Sequence, residues 1–244
     1  MFENRQHLAP CPRIVYSVRM DNHRPARPGP VTIALAAVQV GAWGALWMLS
    51  PVPAEGGRIP SSTLILAGAT DADLVWQGEV WRLLASQFLH ADAGHLAVNV
   101  VGGFLLCLLA ERVLGTARTL LVYLAAGLAG SLASAAFAAG PSAGASGAVL
   151  GTMGALVTWA LIRREAFPPR LRLALLVAAA CFVAVPFLAG TGAGADRVAH
   201  LGGLAAGIAS GLAFGRVENV RIAAAVLAVL AAASLVRGLL CLVV

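Results

Sequence analysis

Apolar residues run through this chain in long stretches separated by short polar connections. About 20 such residues, rising 1.5 Å each as a helix, cross the hydrocarbon core of a bilayer. The pattern predicts helices over residues 31–52, 95–110, 117–139, 146–162, 171–188 and 200–215. A further run at 222–244 predicts a seventh helix, interrupted by Arg237 close enough to its end for the side chain to snorkel. The expectation is an all-α polytopic membrane protein, a six-helix bundle with one additional C-terminal helix.

Composition agrees. Of 244 residues, 59% are hydrophobic and 11% charged, with a mean hydropathy of +0.85, against about 25% charged in a soluble domain. This excludes a soluble enzyme, a disordered regulator and a nucleic-acid binder. The formal charge of +6 reads as a topology signal once the arginines are placed. With residues 1–30 as a flexible, basic cytoplasmic tail, thirteen arginines fall on the tail's side: five in it, then Arg112, Arg118, Arg163, Arg164, Arg170, Arg172, Arg216 and Arg221. Arg58, Arg82 and Arg197 fall on the other, which is the positive-inside pattern. The long outer loop at 53–94 carries Trp76 and Trp81, side chains suited to a membrane interface. No cleavable signal peptide is visible, and Met20 offers an alternative start. Cys11, Cys107, Cys181 and Cys241 have no metal-type or CxxC spacing.

Polar side chains in apolar spans are costly and point to function. His95 and Asn99 share one helical face at a separation of four, Ser146 opens a span inside Gly144-Ala145-Ser146-Gly147, and His200 opens another. Counting back from the first charge at the cytoplasmic end of each helix places Ser146 roughly 26 Å, and His200 and His95 each roughly 24 Å, from that end. One serine and two histidines from three helices thus share a layer below the outer surface, with Asn99 about one turn deeper. Gly203, Gly207 and Gly211 follow His200, and Gly147, Gly151 and Gly154 follow Ser146. Facing stripes of small residues let helices approach backbone to backbone, which would bring the Ser146 hydroxyl to the His200 imidazole in the geometry of nucleophile and base.

In order along the chain stand Trp81-Arg82, His90 with His95 and Asn99, Glu111 with Gly115, Gly144 with Ser146 and Gly147, and Ala199-His200 with Gly203 and Gly207. This series, covering about 31–215, resembles the rhomboid family of intramembrane serine proteases. The resemblance implies a Ser/His dyad with Ser146 as nucleophile and His200 as base and then acid. It further implies an oxyanion hole of His95, Asn99 and the Ser146 N–H. Where family members commonly stack an aromatic residue on the dyad histidine, this chain has Leu150. Gly147 directly follows the serine, so the motif is not the GxSxG elbow of soluble hydrolases.

Three functions meet this pattern. The first is an endopeptidase of a bacterial-type inner membrane, cutting single-pass membrane proteins near the outer face of the bilayer. The second is an inactive relative that binds transmembrane helices as an adaptor. The third uses His90, His95 and His200 as haem or metal ligands. The protease reading needs no cofactor, metal or nucleic acid, and oligomeric state is not encoded in any pattern here. Asp196 reads as a solvated end charge, His90, Trp81 and Arg82 as braces of the loop, and Glu111 as a residue that holds the cytoplasmic end of its helix.

Overall fold

The computed structural model describes residues 28–52, 56–188, 196–214 and 219–243. All but the last three residues of the predicted tail therefore lie outside the described residues, as do Cys11, Gly215, Arg216 and Val244. Among the described residues, regular structure is helical apart from two isolated antiparallel bridges, Arg58 to Asp92 and Thr70 to Ser142. The long helices are α1 (Pro30–Leu49), α5 (Ala93–Val113), α6 (Thr116–Phe137), α7 (Ser146–Ile162), α8 (Pro169–Leu188), α9 (Arg197–Ala213) and α10 (Arg221–Leu240). Between α1 and α5 lie three short ones, α2 (Ser61–Leu66), α3 (Ala72–Trp76) and α4 (Arg82–Ala85).

Four of these helices, α1, α5, α6 and α10, are both long and apolar enough to cross a membrane, and α7 is a shorter apolar helix. Their outward faces stay apolar: Val98, Val101 and Leu105 on α5 and Ile222, Val226 and Val229 on α10 are exposed. Water opposes such a surface and lipid accepts it. The chain is an integral, multi-pass membrane protein.

Local chemistry sets the helix ends. Pro30 opens α1, where its missing N–H costs nothing. Asp92 caps α5 by accepting the His95 N–H at 2.8 Å, and Asp196 caps α9 by accepting the Ala199 N–H at 2.9 Å. Asp196 is therefore a helix cap and not the solvated end charge that its position predicts. Gly115, at φ +83°, makes the left-handed turn from α5 into α6.

Helix α7 occupies the centre. From Gly147 to Ala160 almost every side chain is buried, as expected of a helix apolar on all sides, and it packs against α5, α6, α8 and α9. Helix α10 lies at the periphery, against α6 and α4.

The long segment between α1 and α5 carries short helices of its own, which the sequence reading did not foresee. Residues 56–92 fold into α2, α3, α4 and a single 3-10 turn at Ser86–Phe88, around their own buried Ile59, Leu64, Ala67, Ala69, Phe88 and Leu89. These helices are four to six residues long, too short to show a period. Trp76 remains 64% exposed, its Nε1 donating to the Ala135 carbonyl at 3.1 Å.

Candidate active site

The site begins with two helices that touch through bare backbone. A Cβ on Gly203 would overlap the Gly147 carbonyl oxygen, and one on Gly207 that of Gly151. One step further along, a Cβ on Gly211 would lie 3.0 Å from the Ala155 carbonyl oxygen. Gly154, by contrast, faces Leu204 and Ile208. Close approach of this kind gains dispersion contacts along the whole interface. It also leaves no room for α7 and α9 to slide, so the residues at their starts are held in register.

Those residues are Ser146 and His200. His200 Nε2 lies 2.7 Å from Ser146 Oγ, a short hydrogen bond between side chains 54 positions apart. Ser146 is also the first residue of α7, where backbone N–H groups have no partner inside the helix and point toward an incoming anion. Both side chains line a cavity of about 1010 Å³ together with His95, Asn99, Gly144 and Gly147. Arg58 and Asp92, which also line it, pair at 3.4 Å.

Gly144 is required twice over. Its φ of +140° disfavours a side chain, and a Cβ there would meet the His95 ring at 2.6 Å. The glycine two residues before the serine thus makes the space in which His95 lies. Asn99 is 4% exposed and donates one amide N–H to the His95 carbonyl at 3.0 Å, leaving a second donor on the same nitrogen. Behind His95, the His90 ring makes an edge contact at a centroid separation of 5.1 Å. His90 is fully buried. Burial, with His95 adding to it, holds its pKa down to about 3. His90 is thus a neutral wall for His95.

Other sequence-selected residues stand apart from the cavity. Leu150 is buried on α7, 1% exposed. Arg82 is 6% exposed. It pairs with Glu79 at 2.6 Å and donates to the carbonyls of Ile65 and Ala69, so it braces the folded loop. Trp81 lies beneath it, with the Arg82 guanidinium carbon 4.8 Å from the ring centroid. Glu111 serves a neighbouring helix: its carboxylate accepts the N–H groups of Val31 and Thr32 and the Thr32 hydroxyl, at 3.2, 2.9 and 2.6 Å, at the start of α1.

The sequence reading missed how the loop holding Ser146 is itself held. Thr70 and Ser142 exchange backbone hydrogen bonds of 2.8 Å in both directions. Gly144 N–H donates to the Ser86 carbonyl at 3.0 Å, and Thr70 Oγ1 donates to Ser86 Oγ at 2.9 Å, which in turn lies 3.0 Å from Ser131 Oγ. Small hydroxylic residues in a loop give no signal of such pairing in one sequence.

Comparison with known proteins bears on this arrangement. The family model of the Rhomboid domain matches residues 77–217, more than half of the chain. "Rhomboid protease GluP" of Bacillus subtilis is 38% identical over 161 residues, 66% of this chain and 31% of that protein. "Putative rhomboid protease YdcA" of the same organism is 31% identical over 183 residues, 73% of this chain and 85% of its own length. "Inactive rhomboid protein 1" of Drosophila melanogaster is 40% identical over 86 residues, a third of this chain and 6% of that protein. The chain thus spans less than a third of GluP; the stretch matched by the family model, residues 77–217, includes every long helix that lines the cavity. This chain belongs to the rhomboid family.

Proposed function

We propose that the chain is an intramembrane serine endopeptidase, with residues 31–215 as its catalytic membrane domain and Ser146 and His200 as its dyad. The observation that carries the reading is the 2.7 Å contact between His200 Nε2 and Ser146 Oγ, in a cavity that both residues line.

The chemistry follows from that contact. Ser146 Oγ attacks the scissile carbonyl carbon while its proton passes to His200 Nε2. The charge that develops on the carbonyl oxygen falls near the Ser146 N–H, the free Asn99 N–H and the His95 ring. Each donor aimed at such an oxyanion contributes about 3 kcal/mol to transition-state binding. His200 then returns the proton to the leaving amine as the C–N bond breaks, giving an acyl-enzyme. Water, deprotonated by His200, releases the acid and regenerates the serine. Asp196 is occupied with capping α9, which supports a dyad without a third acid.

The substrates are single-pass membrane proteins whose helix unwinds near small residues to expose a carbonyl. Cutting takes place in the outer part of a bacterial-type inner membrane, with the chain's N-terminus cytoplasmic as the arginine distribution implies. A helix of 17 residues spans roughly 26 Å of a core of about 30 Å, which supports a serine recessed below the surface. Similarity to an inactive relative keeps a second reading, an adaptor that binds transmembrane helices without cutting them.

Labelling with a serine-directed fluorophosphonate, alongside cleavage of a model transmembrane substrate in vesicles, separates the two. The protease labels and cleaves, and Ser146→Ala abolishes both while its melting temperature in detergent stays within a few degrees. Binding of the substrate with no labelling and no cleavage would establish the adaptor instead.

A further inference from the structure

Helix α10 lies beyond the stretch matched by the Rhomboid domain, and among the described residues it contributes nothing to the cavity lining. Its outer turn is nevertheless fitted to the folded loop. A Cβ on Gly238 would overlap the Ala67 carbonyl oxygen and lie 3.3 Å from the Trp81 ring, so the α10 backbone rests directly on the loop. One residue earlier, the Arg237 guanidinium carbon is 4.9 Å from the Trp81 ring centroid. Arg82, on the loop, is at 4.8 Å from that ring. Arg237 is exposed, and this aromatic face gives its guanidinium a cation–π contact.

From this corner a continuous set of contacts leads to the serine. Arg82 binds the carbonyls of Ile65 and Ala69 on either side of Ala67. Thr70 follows and is paired in both directions with Ser142. Gly144, two residues on, is fixed by the Ser86 carbonyl, and Ser146 is two residues beyond that. We propose that Arg237 and Gly238 are positioning residues of the catalytic loop: α10 clamps residues 65–70 and Trp81, and these hold Gly144 where His95 and Ser146 require it. The proposal rests on the proteolytic reading of the site. It assigns to the helix outside the family match a part in setting the reaction rate.

The test measures inactivation of the full chain in vesicles by a fluorophosphonate, separating the maximal rate constant from the half-saturating probe concentration, in wild type, Gly238→Val, Arg237→Ala and Arg237→Lys. Displacement of a reacting atom by about 1 Å can cost up to 100-fold. Gly238→Val should accordingly lower the maximal rate about tenfold, with half-saturation within twofold of wild type. Arg237→Ala should lower it about threefold, the scale of one cation–π contact, and Arg237→Lys should recover most of that loss. If Gly238→Val does not fold, the Arg237 pair decides. Maximal rates equal to wild type in folded variants overturn this proposal alone. So does a loss in Arg237→Ala that lysine fails to recover. A wild-type chain that never labels overturns the proteolytic reading, and this proposal with it.

Discussion

Two interfaces hold the candidate site, and they are built from opposite materials. Between α7 and α9 the contact is backbone on backbone, Gly147 with Gly203 and Gly151 with Gly207, and the polar pair at its end is Ser146 with His200. Between the folded loop and the strand-like approach to Ser146 the contact is polar, running through Thr70, Ser142, Ser86 and Gly144. Packing fixes distance with little tolerance because overlapping atoms repel steeply. Hydrogen bonds fix direction, and each contributes only about 1 kcal/mol net. The first interface sets how far apart Ser146 and His200 stand, and the second sets which way the serine loop faces.

The difference makes predictions of unequal size. Gly207→Leu should be the most damaging, because no rotamer avoids the Gly151 carbonyl. The expected cost exceeds about 3 kcal/mol, read as loss of the folded species in detergent melting, and a variant with wild-type melting would remove the rigid half of the comparison. Asn99→Ala, which deletes a donor without disturbing either interface, should lower kcat about 100-fold with KM nearly unchanged. Steady-state kinetics on a transmembrane peptide check this, and an unchanged kcat would take Asn99 out of the oxyanion role. At the far end of the bundle, Glu111→Gln weakens the cap on α1 and should cost about 1–2 kcal/mol, measured by detergent melting, with little effect on kcat.

A further effect concerns pH. His90 binds a proton in the unfolded chain below its ordinary pKa of 6.5 but in the folded chain only near 3. Its contribution is fully present above pH 6.5 and declines as the pH falls toward 3, since the unfolded state then holds more protons. The slope is at most about 1.4 kcal/mol per pH unit. Melting between pH 7 and 5 should therefore be less steep in His90→Phe than in wild type. Equal slopes would mean that His90 is not buried neutral.

Legibility followed length of pattern. The long helices could be read from runs of apolar residues, and α7 has the same bounds in the structure as in the sequence pattern. The fold of residues 56–92 could not, because helices of one turn have no period and their stops, Gly68 and Gly78 at φ +103° and +107°, look like any loop glycines. In the site, Ser146, His200, His95 and Asn99 stand out as polar groups in apolar surroundings. Thr70, Ser86 and Ser142 act through backbone and hydroxyl bonds that ordinary loop residues make everywhere, so nothing in their identity marks them.

Sequence by itself determined that this chain lives in lipid, where its helices run, and which few polar side chains are anomalous there. Hydropathy acts residue by residue, so it is written locally. Only the tertiary structure decided that Glu111 serves α1, that Thr70 pairs with Ser142, and that Arg237 on the last helix rests on Trp81 from a loop more than 150 residues earlier. Each of those pairings depends on two distant segments arriving at the same place, and that is a property of packing that no single stretch of residues contains.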